Sequence, residues 1–255
     1  MGTTPAPAPN GSVSAVPPGE GLSQSSRIID TFVAPSKTFT DINRNSSWWV
    51  PFVLMTIVSI LFVFAIDQKI GFQRVANNQL KANPKQMDQF EKLPPDQQAT
   101  QMNIRVKATK FISYGFPVFI LLMVVITAAV LMGSFNFGAG AQVSFGKAMA
   151  VVMYSHLPGI IKTILVTVAI FAGMDPEGFQ IDNPIATNPG FFFSPTDHPA
   201  LYKLASSIDI FTIWTLVLMA IGFTYVCKVK KGTSMAIVFG WYAVITLIGV
   251  AFAAM

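Results

Sequence analysis

The chain carries little charge. Only 11% of its 255 residues are Asp, Glu, Lys or Arg, whereas a soluble domain usually contains about 25%. Hydrophobic residues make up 52% of the sequence, and the mean hydropathy is +0.54. This composition argues against an ordinary soluble protein, because too few polar side chains remain to cover a surface that faces water.

Cysteine is almost absent. Cys227 is the only one, so the chain cannot form an internal disulfide. The first 47 residues also contain no apolar segment of the kind found in a cleavable signal peptide. We therefore expect the first membrane-spanning segment to act as an uncleaved insertion signal.

The motifs of common soluble enzymes are missing. The sequence contains no Gly-x-Ser-x-Gly, no phosphate-binding Gly-Lys-Ser/Thr loop and no His-Glu-x-x-His. The two histidines, His156 and His198, lie in segments of different character and have no cysteine partners, so we expect no metal site. These absences predict a protein that is not an enzyme and that binds no cofactor.

Long apolar segments occupy most of the chain after residue 47. They are residues 48–66, 111–135, 148–171, 208–227 and 235–255. An α-helix needs about 20 apolar residues to cross a bilayer, and in lipid its backbone must satisfy its own hydrogen bonds. The sequence therefore predicts an all-α membrane protein with five transmembrane helices.

The remaining sequence suggests three parts. Residues 1–24 are rich in Pro and Ala and are expected to be a disordered tail. Residues 25–47 place apolar side chains on one helical face and are expected to form an amphipathic segment. This segment could lie on the membrane surface or dock against the helices. Residues 48–255 form the predicted membrane domain, with a polar loop at 67–110.

The connecting loops predict an orientation. Lys228, Lys230 and Lys231 lie between the last two apolar segments, whereas residues 175–197 contain four acids. Since basic loops favour the cytoplasm, we expect a cytoplasmic N-terminus and an external C-terminus. The loop at 67–110 conflicts with this, because it holds eight basic residues against four acids and would lie outside. The formal net charge of +5 fits lipid headgroups better than nucleic acid, which we do not expect as a partner.

Four polar residues near the third and fourth apolar segments form a candidate intramembrane site: Tyr154, His156, Lys162 and Asp209. Ionisable groups inside a membrane are unfavourable and often mark functional sites. Lys162 is predicted to reach Asp209 and form an ion pair between helices. In the alternative, each side chain extends separately to water, and a proton pathway through His156 and Lys162 is a further alternative.

Small residues predict close contacts between helices. Gly133, Gly138 and Gly140 cluster at and after the end of the second apolar segment, Gly222 lies in the fourth, and Gly240 and Gly249 lie in the fifth. Glycine allows two helices to approach closely in lipid. We therefore expect these positions to face neighbouring helices.

Four short motifs resemble the Yip1-domain family of membrane proteins, particularly its bacterial members. They are APSKTF at 34–39, WWVPF at 48–52, YSHLP at 154–158 and IDIFTIW at 208–214. The resemblance covers residues 28–255. It implies a five-helix integral membrane protein with a cytoplasmic N-terminus, and for a bacterial member it implies the inner (plasma) membrane.

The resemblance and the missing enzyme motifs together predict a non-enzymatic scaffold or adaptor in membrane organisation or trafficking. Its expected partners are the lipid bilayer and other membrane proteins or further copies of itself. Rab binding, which is associated with eukaryotic relatives, is not expected, because the entry motif of those relatives is absent. The alternative is a small transporter or channel subunit that uses Lys162, His156 and Asp209.

Overall fold

A computed structural model describes residues 21–254 of the chain, and within that range it contains helices and no strand. The predicted tail at 1–24 lies outside the described residues except for its last four positions. Five helical segments are long and apolar enough to cross a membrane: Trp49–Ile70, Pro95–Gly138, Phe145–Phe171, Ile210–Cys227 and Lys231–Ala254. The predicted all-α architecture with five transmembrane helices is confirmed.

The first two spans are single helices. The first is α3 (Trp49–Ala65), which ends in a π-helical turn. After two short helices, α4 (Phe72–Lys81) and α5 (Pro84–Glu91), the second span is α6 (Pro95–Gly133). Pro at the first helical position and an acid beside it favour the start of α6. The helix then continues from the polar loop into the membrane and runs through Pro117 without ending, although this residue has no backbone N–H to donate.

The third span is broken into α7 (Phe145–Ser155) and α8 (Pro158–Phe171). Pro158 has no backbone N–H and cannot donate a backbone hydrogen bond, so the helix breaks at this point. The broken span lies at the centre of the bundle. Helix α7 contacts α6 and α10 (Ile210–Cys227), while α8 contacts α3 and α10. The last span, α11 (Lys231–Ala254), packs on α10 and on the short helix α9 (Pro199–Ser207), and most of its surface is exposed.

The amphipathic segment forms two helices, α1 (Gln24–Val33) and α2 (Pro35–Ile42), which pack on each other as a hairpin. Helix α2 packs against α10 and contacts α7. Phe39 and Ile42 are fully buried in the same core as α6, α7 and α10. The structure therefore shows the second alternative, in which this segment docks against the other helices.

The two ends of the bundle differ. The hairpin, the start of α7 and the turn between α10 and α11 lie at one end, which we call the hairpin end. Helices α4, α5 and α9 and the loop before α9 lie at the opposite end. There the Nδ2 of Asn78 on α4 donates hydrogen bonds to the carbonyl oxygens of Pro176 and Phe179, at 3.1 and 2.9 Å. These bonds hold the loop onto α4.

The prediction that the six glycines face neighbouring helices is wrong for four of them. A Cβ added at Gly133, Gly138, Gly140 or Gly240 would meet no described atom within 4 Å. At Gly249 it is confirmed, because a Cβ there would lie 3.1 Å from Cε of Lys203 on α9. At Gly222 the prediction is confirmed, because a Cβ there would lie 2.5 Å from a methyl of Val151 and 2.9 Å from the ring of Phe39. The close approach is therefore between α10, α7 and the hairpin.

Candidate functional site

The hairpin is held together by a buried ion pair. The side chain of Arg27 is fully buried, and its Nε and Nη2 lie 2.6 and 2.5 Å from Oδ2 of Asp41. The backbone carbonyl of Arg27 also accepts hydrogen bonds from the hydroxyls of Thr31 and Thr38, at 2.7 and 2.9 Å. One residue of α1 thus joins the two helices through both its side chain and its backbone.

Asp41 stays ionised under ordinary conditions. Burial raises the pKa of this carboxyl, but hydrogen bonds from Arg44 and Arg27 outweigh burial and hold the pKa below its usual value. Arg44 is half exposed and its Nε lies 2.9 Å from Oδ1 of Asp41. The carboxylate therefore faces one buried and one solvated guanidinium, and the buried one depends on it for charge compensation.

Polar contacts attach the hairpin to the bundle. The hydroxyl of Tyr154, which is fully buried on α7, donates to Oε1 of Gln24 at 2.8 Å. Just after α2, the Nδ2 of Asn43 donates to the carbonyl of Tyr225 at 3.3 Å, and its Oδ1 accepts a bond of the same length from Lys147. The hairpin is therefore fixed to α7 and to the end of α10.

The outer edge of the hairpin is apolar and basic. Ile29 and Val33 on α1 are 60% and 73% exposed. Lys37 on α2 is exposed as well, and a cavity of about 370 Å³ beside α2 is lined by Pro35, Ser36 and Lys231. Lys231 therefore lies next to α2, and Lys228 and Lys230 belong to the same turn between α10 and α11. We call this combined surface, made of Ile29, Val33, Lys37, Lys228, Lys230 and Lys231, the hairpin edge.

A second polar cluster lies toward the opposite end of the bundle. The predicted ion pair between Lys162 and Asp209 is formed, with Nζ 2.8 Å from Oδ2. The hydroxyl of Thr187 donates to the same carboxylate oxygen. The other oxygen of Asp209 accepts the backbone N–H groups of Phe211 and Thr212 at 3.0 and 3.1 Å, so this residue also caps the start of α10.

The four residues predicted as one intramembrane site lie in three different surroundings. Tyr154 faces the hairpin, and Lys162 and Asp209 face the loop before α9. A ring nitrogen of His156 lies 2.7 Å from the carbonyl oxygen of Val152, one turn earlier on α7. Within residues 21–254, no three His, Cys, Asp or Glu side chains converge as metal ligands would. That Tyr154, His156, Lys162 and Asp209 act together stays a prediction.

Sequence reasoning missed the partners of these residues. Arg27 and Asp41 were part of the amphipathic segment but were not paired, because a helix break at Pro35 separates them. Thr187 and Asn188, both within 3.5 Å of the Asp209 carboxylate, lie in a loop rich in turn residues. An asparagine or threonine in such a loop is common, and nothing in the pattern marks these two as ligands of a buried carboxylate.

The comparisons with known proteins agree with the architecture. The family model described as Yip1 domain matches residues 29–253, which begins inside α1 and ends near the end of α11. The match thus includes most of the hairpin as well as all five spans. Comparisons with curated proteins and with solved structures returned no match. Since the family model covers nearly the whole chain, the protein belongs to the Yip1 family.

Proposed function

We propose that this protein is a non-enzymatic scaffold or adaptor in membrane organisation or trafficking, and that it binds its partners through the hairpin edge. The observation that carries the proposal is that the hairpin packs against the bundle through buried residues yet leaves Ile29 and Val33 exposed. The buried face of the hairpin fixes its position, so the exposed face presents a constant surface. An apolar surface bordered by lysines fits an amphipathic or acidic segment of another membrane protein.

The proposal places the hairpin end in the cytoplasm and the C-terminus outside, in the inner membrane of a bacterium. The lysines of the hairpin edge support this orientation, because basic loops concentrate on the cytoplasmic side. They also favour contact with the anionic headgroups of the cytoplasmic leaflet. Contact with the bilayer and with a protein partner can therefore reinforce each other on one surface.

The polar contacts inside the bundle support a structural role better than a transport role. Lys162 and Asp209 neutralise each other, and Asp209 uses both oxygens in further hydrogen bonds. The hydroxyl of Tyr154 likewise already donates a hydrogen bond to Gln24. A pathway for ions would require these groups to exchange their partners, and no contact between His156 and Lys162 is found in the described chain.

Site-specific photo-crosslinking in intact membranes tests the proposal. A photoreactive amino acid is placed at Ile29 or Val33, and at Ile245 as a control. Ile245 is an equally apolar residue, 63% exposed on α11. We expect discrete protein adducts from positions 29 and 33 and lipid adducts from position 245. Lipid adducts alone from all three positions would show that the hairpin edge is only a membrane contact, and the proposed role would be wrong.

A further inference from the structure

Two adjoining cavities lie at the opposite end of the bundle, far from the hairpin. The first has a volume of about 440 Å³ and lies between α3 and α6. Its walls are mainly apolar, with Phe62 and Val63 from α3 and Ile112 and Phe116 from α6. A cleft of this size between two spans has room for part of a lipid acyl chain.

The second cavity has a volume of about 400 Å³ and is lined mainly by polar residues of α4, α5, α6 and α9 and of the loop before α9. Among its lining residues are Gln86, Arg105, Gln180 and Tyr202. Gln79 and Asp182 line both cavities, so the apolar and the polar space meet at these two side chains. Each volume lies within the range of about 300–1,000 Å³ that is usual for ligand sites.

The polar cavity lies at the outer edge of the headgroup layer. On α6 the exposed charged residues end at Lys110, and a continuous exposed apolar surface begins at Phe111, which is 81% exposed. Arg105 precedes Phe111 by six residues, which corresponds to about 9 Å along a helix. The headgroup layer on each face of a bilayer is about 5–8 Å thick, so the backbone of Arg105 lies just outside it. Because the two cavities meet at Gln79 and Asp182, a lipid whose chain enters the apolar cavity would extend its headgroup into the cavity that Arg105 lines.

Arg105 lines this cavity, and part of its hydrogen-bonding capacity is unused. Its Nη1 donates to Oε1 of Gln86 at 3.1 Å, its Nη2 makes no hydrogen bond to the described residues, and its Nε is buried away from the cavity space. A guanidinium matches the oxygens of a phosphate group, to which it can donate two parallel hydrogen bonds. Asp182 brings a carboxylate to the same site. Lys203 acts on it electrostatically, but no ion pair between the two is found among the described residues, so the carboxylate can still contact a cationic group beyond the phosphate.

We propose that the two cavities bind one phospholipid with a phosphoethanolamine headgroup. Its acyl chain lies between α3 and α6, its phosphate contacts Arg105, and its ammonium contacts Asp182. A primary ammonium donates three hydrogen bonds, which Asp182 and Gln79 can accept. A choline group has no N–H to donate, and a glycerol headgroup has no cation for Asp182.

Native mass spectrometry of the purified, delipidated protein tests this proposal. Phosphatidylethanolamine, phosphatidylcholine and phosphatidylglycerol with identical chains are titrated separately. We expect one phosphatidylethanolamine to bind at least about tenfold more tightly than either other lipid, and Arg105→Gln to weaken it by about tenfold or more. Asp182→Asn removes the preference over phosphatidylcholine. Lys107→Gln is the matched control, because Lys107 is exposed two residues along α6 and lines neither cavity.

Equal binding of the three lipids would overturn the proposal, as would a preference for phosphatidylglycerol. The same holds if Lys107→Gln weakens binding as much as Arg105→Gln does. If Arg105→Gln fails to fold, as judged by circular dichroism, the variant Ser113→Trp tests the proposal in its place. Ser113 lines the apolar cavity, and a tryptophan there fills it while leaving both charges in place. Undiminished binding of phosphatidylethanolamine by that variant would overturn the proposal.

Discussion

The substitution Asp41→Asn should release the hairpin from the bundle. It keeps the shape of the side chain and removes the charge that compensates Arg27. Arg27 is 0% exposed, so its guanidinium cannot find water in place of the carboxylate without movement of α1. Arg44 contacts the same carboxylate but is 52% exposed. Arg44→Gln is therefore the matched control, since it removes a solvated partner of the same group.

The two substitutions should differ clearly in their free-energy cost. Breaking a buried ion pair by removing one partner costs about 3–5 kcal/mol, whereas an exposed pair contributes about 0–1 kcal/mol. At 1.4 kcal/mol for each factor of ten, Asp41→Asn should raise the opening equilibrium of the hairpin roughly 100- to 4,000-fold. Arg44→Gln should raise it by less than about tenfold.

Hydrogen exchange of the hairpin amides, measured by mass spectrometry in lipid nanodiscs, gives this equilibrium directly. We expect faster exchange across α1 and α2 in Asp41→Asn, with little change in the amides of α7 and α10. The double variant Arg27→Met/Asp41→Leu should recover much of the protection, because it leaves no buried charge unpaired. Equal exchange rates in Asp41→Asn and Arg44→Gln would refute the reasoning.

Three further predictions concern single side chains and are checked by unfolding in detergent or by hydrogen exchange. Gly222→Ala should destabilise the protein by about 1–3 kcal/mol, because its Cβ would overlap two neighbours; Gly240→Ala, which meets open space, should not lower the unfolding temperature. Because the pKa of Asp41 is lowered in the folded protein, its stabilisation is present at neutral pH and is lost below about pH 4; protection of the hairpin that is unchanged down to pH 3 would contradict this. Asp209→Ala should destabilise the protein more than Asp209→Asn, since both remove the ion pair but only Ala also removes the cap of α10; equal effects would show that the cap contributes nothing.

The spans and their helical structure could be predicted from the sequence, because the lipid environment leaves few alternatives for a long apolar segment. The pair of Lys162 and Asp209 could also be predicted from the sequence, since two opposite charges on successive spans stabilise each other in a medium of low polarity. In each of these cases a local pattern or a strong electrostatic preference decides the outcome.

The rest depended on packing that the sequence does not specify. The amphipathic segment suited a membrane surface and a protein surface equally well, and only the bundle itself shows that Phe39 fits beside Gly222. The pattern of small residues could not tell which glycine faces a neighbour, because all of them lie near helix ends or on apolar helices. The buried pair of Arg27 and Asp41 crosses a helix break, so no periodicity relates the two residues.

The account rests on five crossings, which place the hairpin and the lipid cavities on opposite faces of the membrane. Labelling of single cysteines with a membrane-impermeant maleimide tests this most directly, with Lys37→Cys in the hairpin or Thr196→Cys in the loop before α9, each in a Cys227→Ala protein. We predict that intact cells label Thr196→Cys and that Lys37→Cys reacts only after the membrane is opened. Labelling of both positions from the same face would contradict the account.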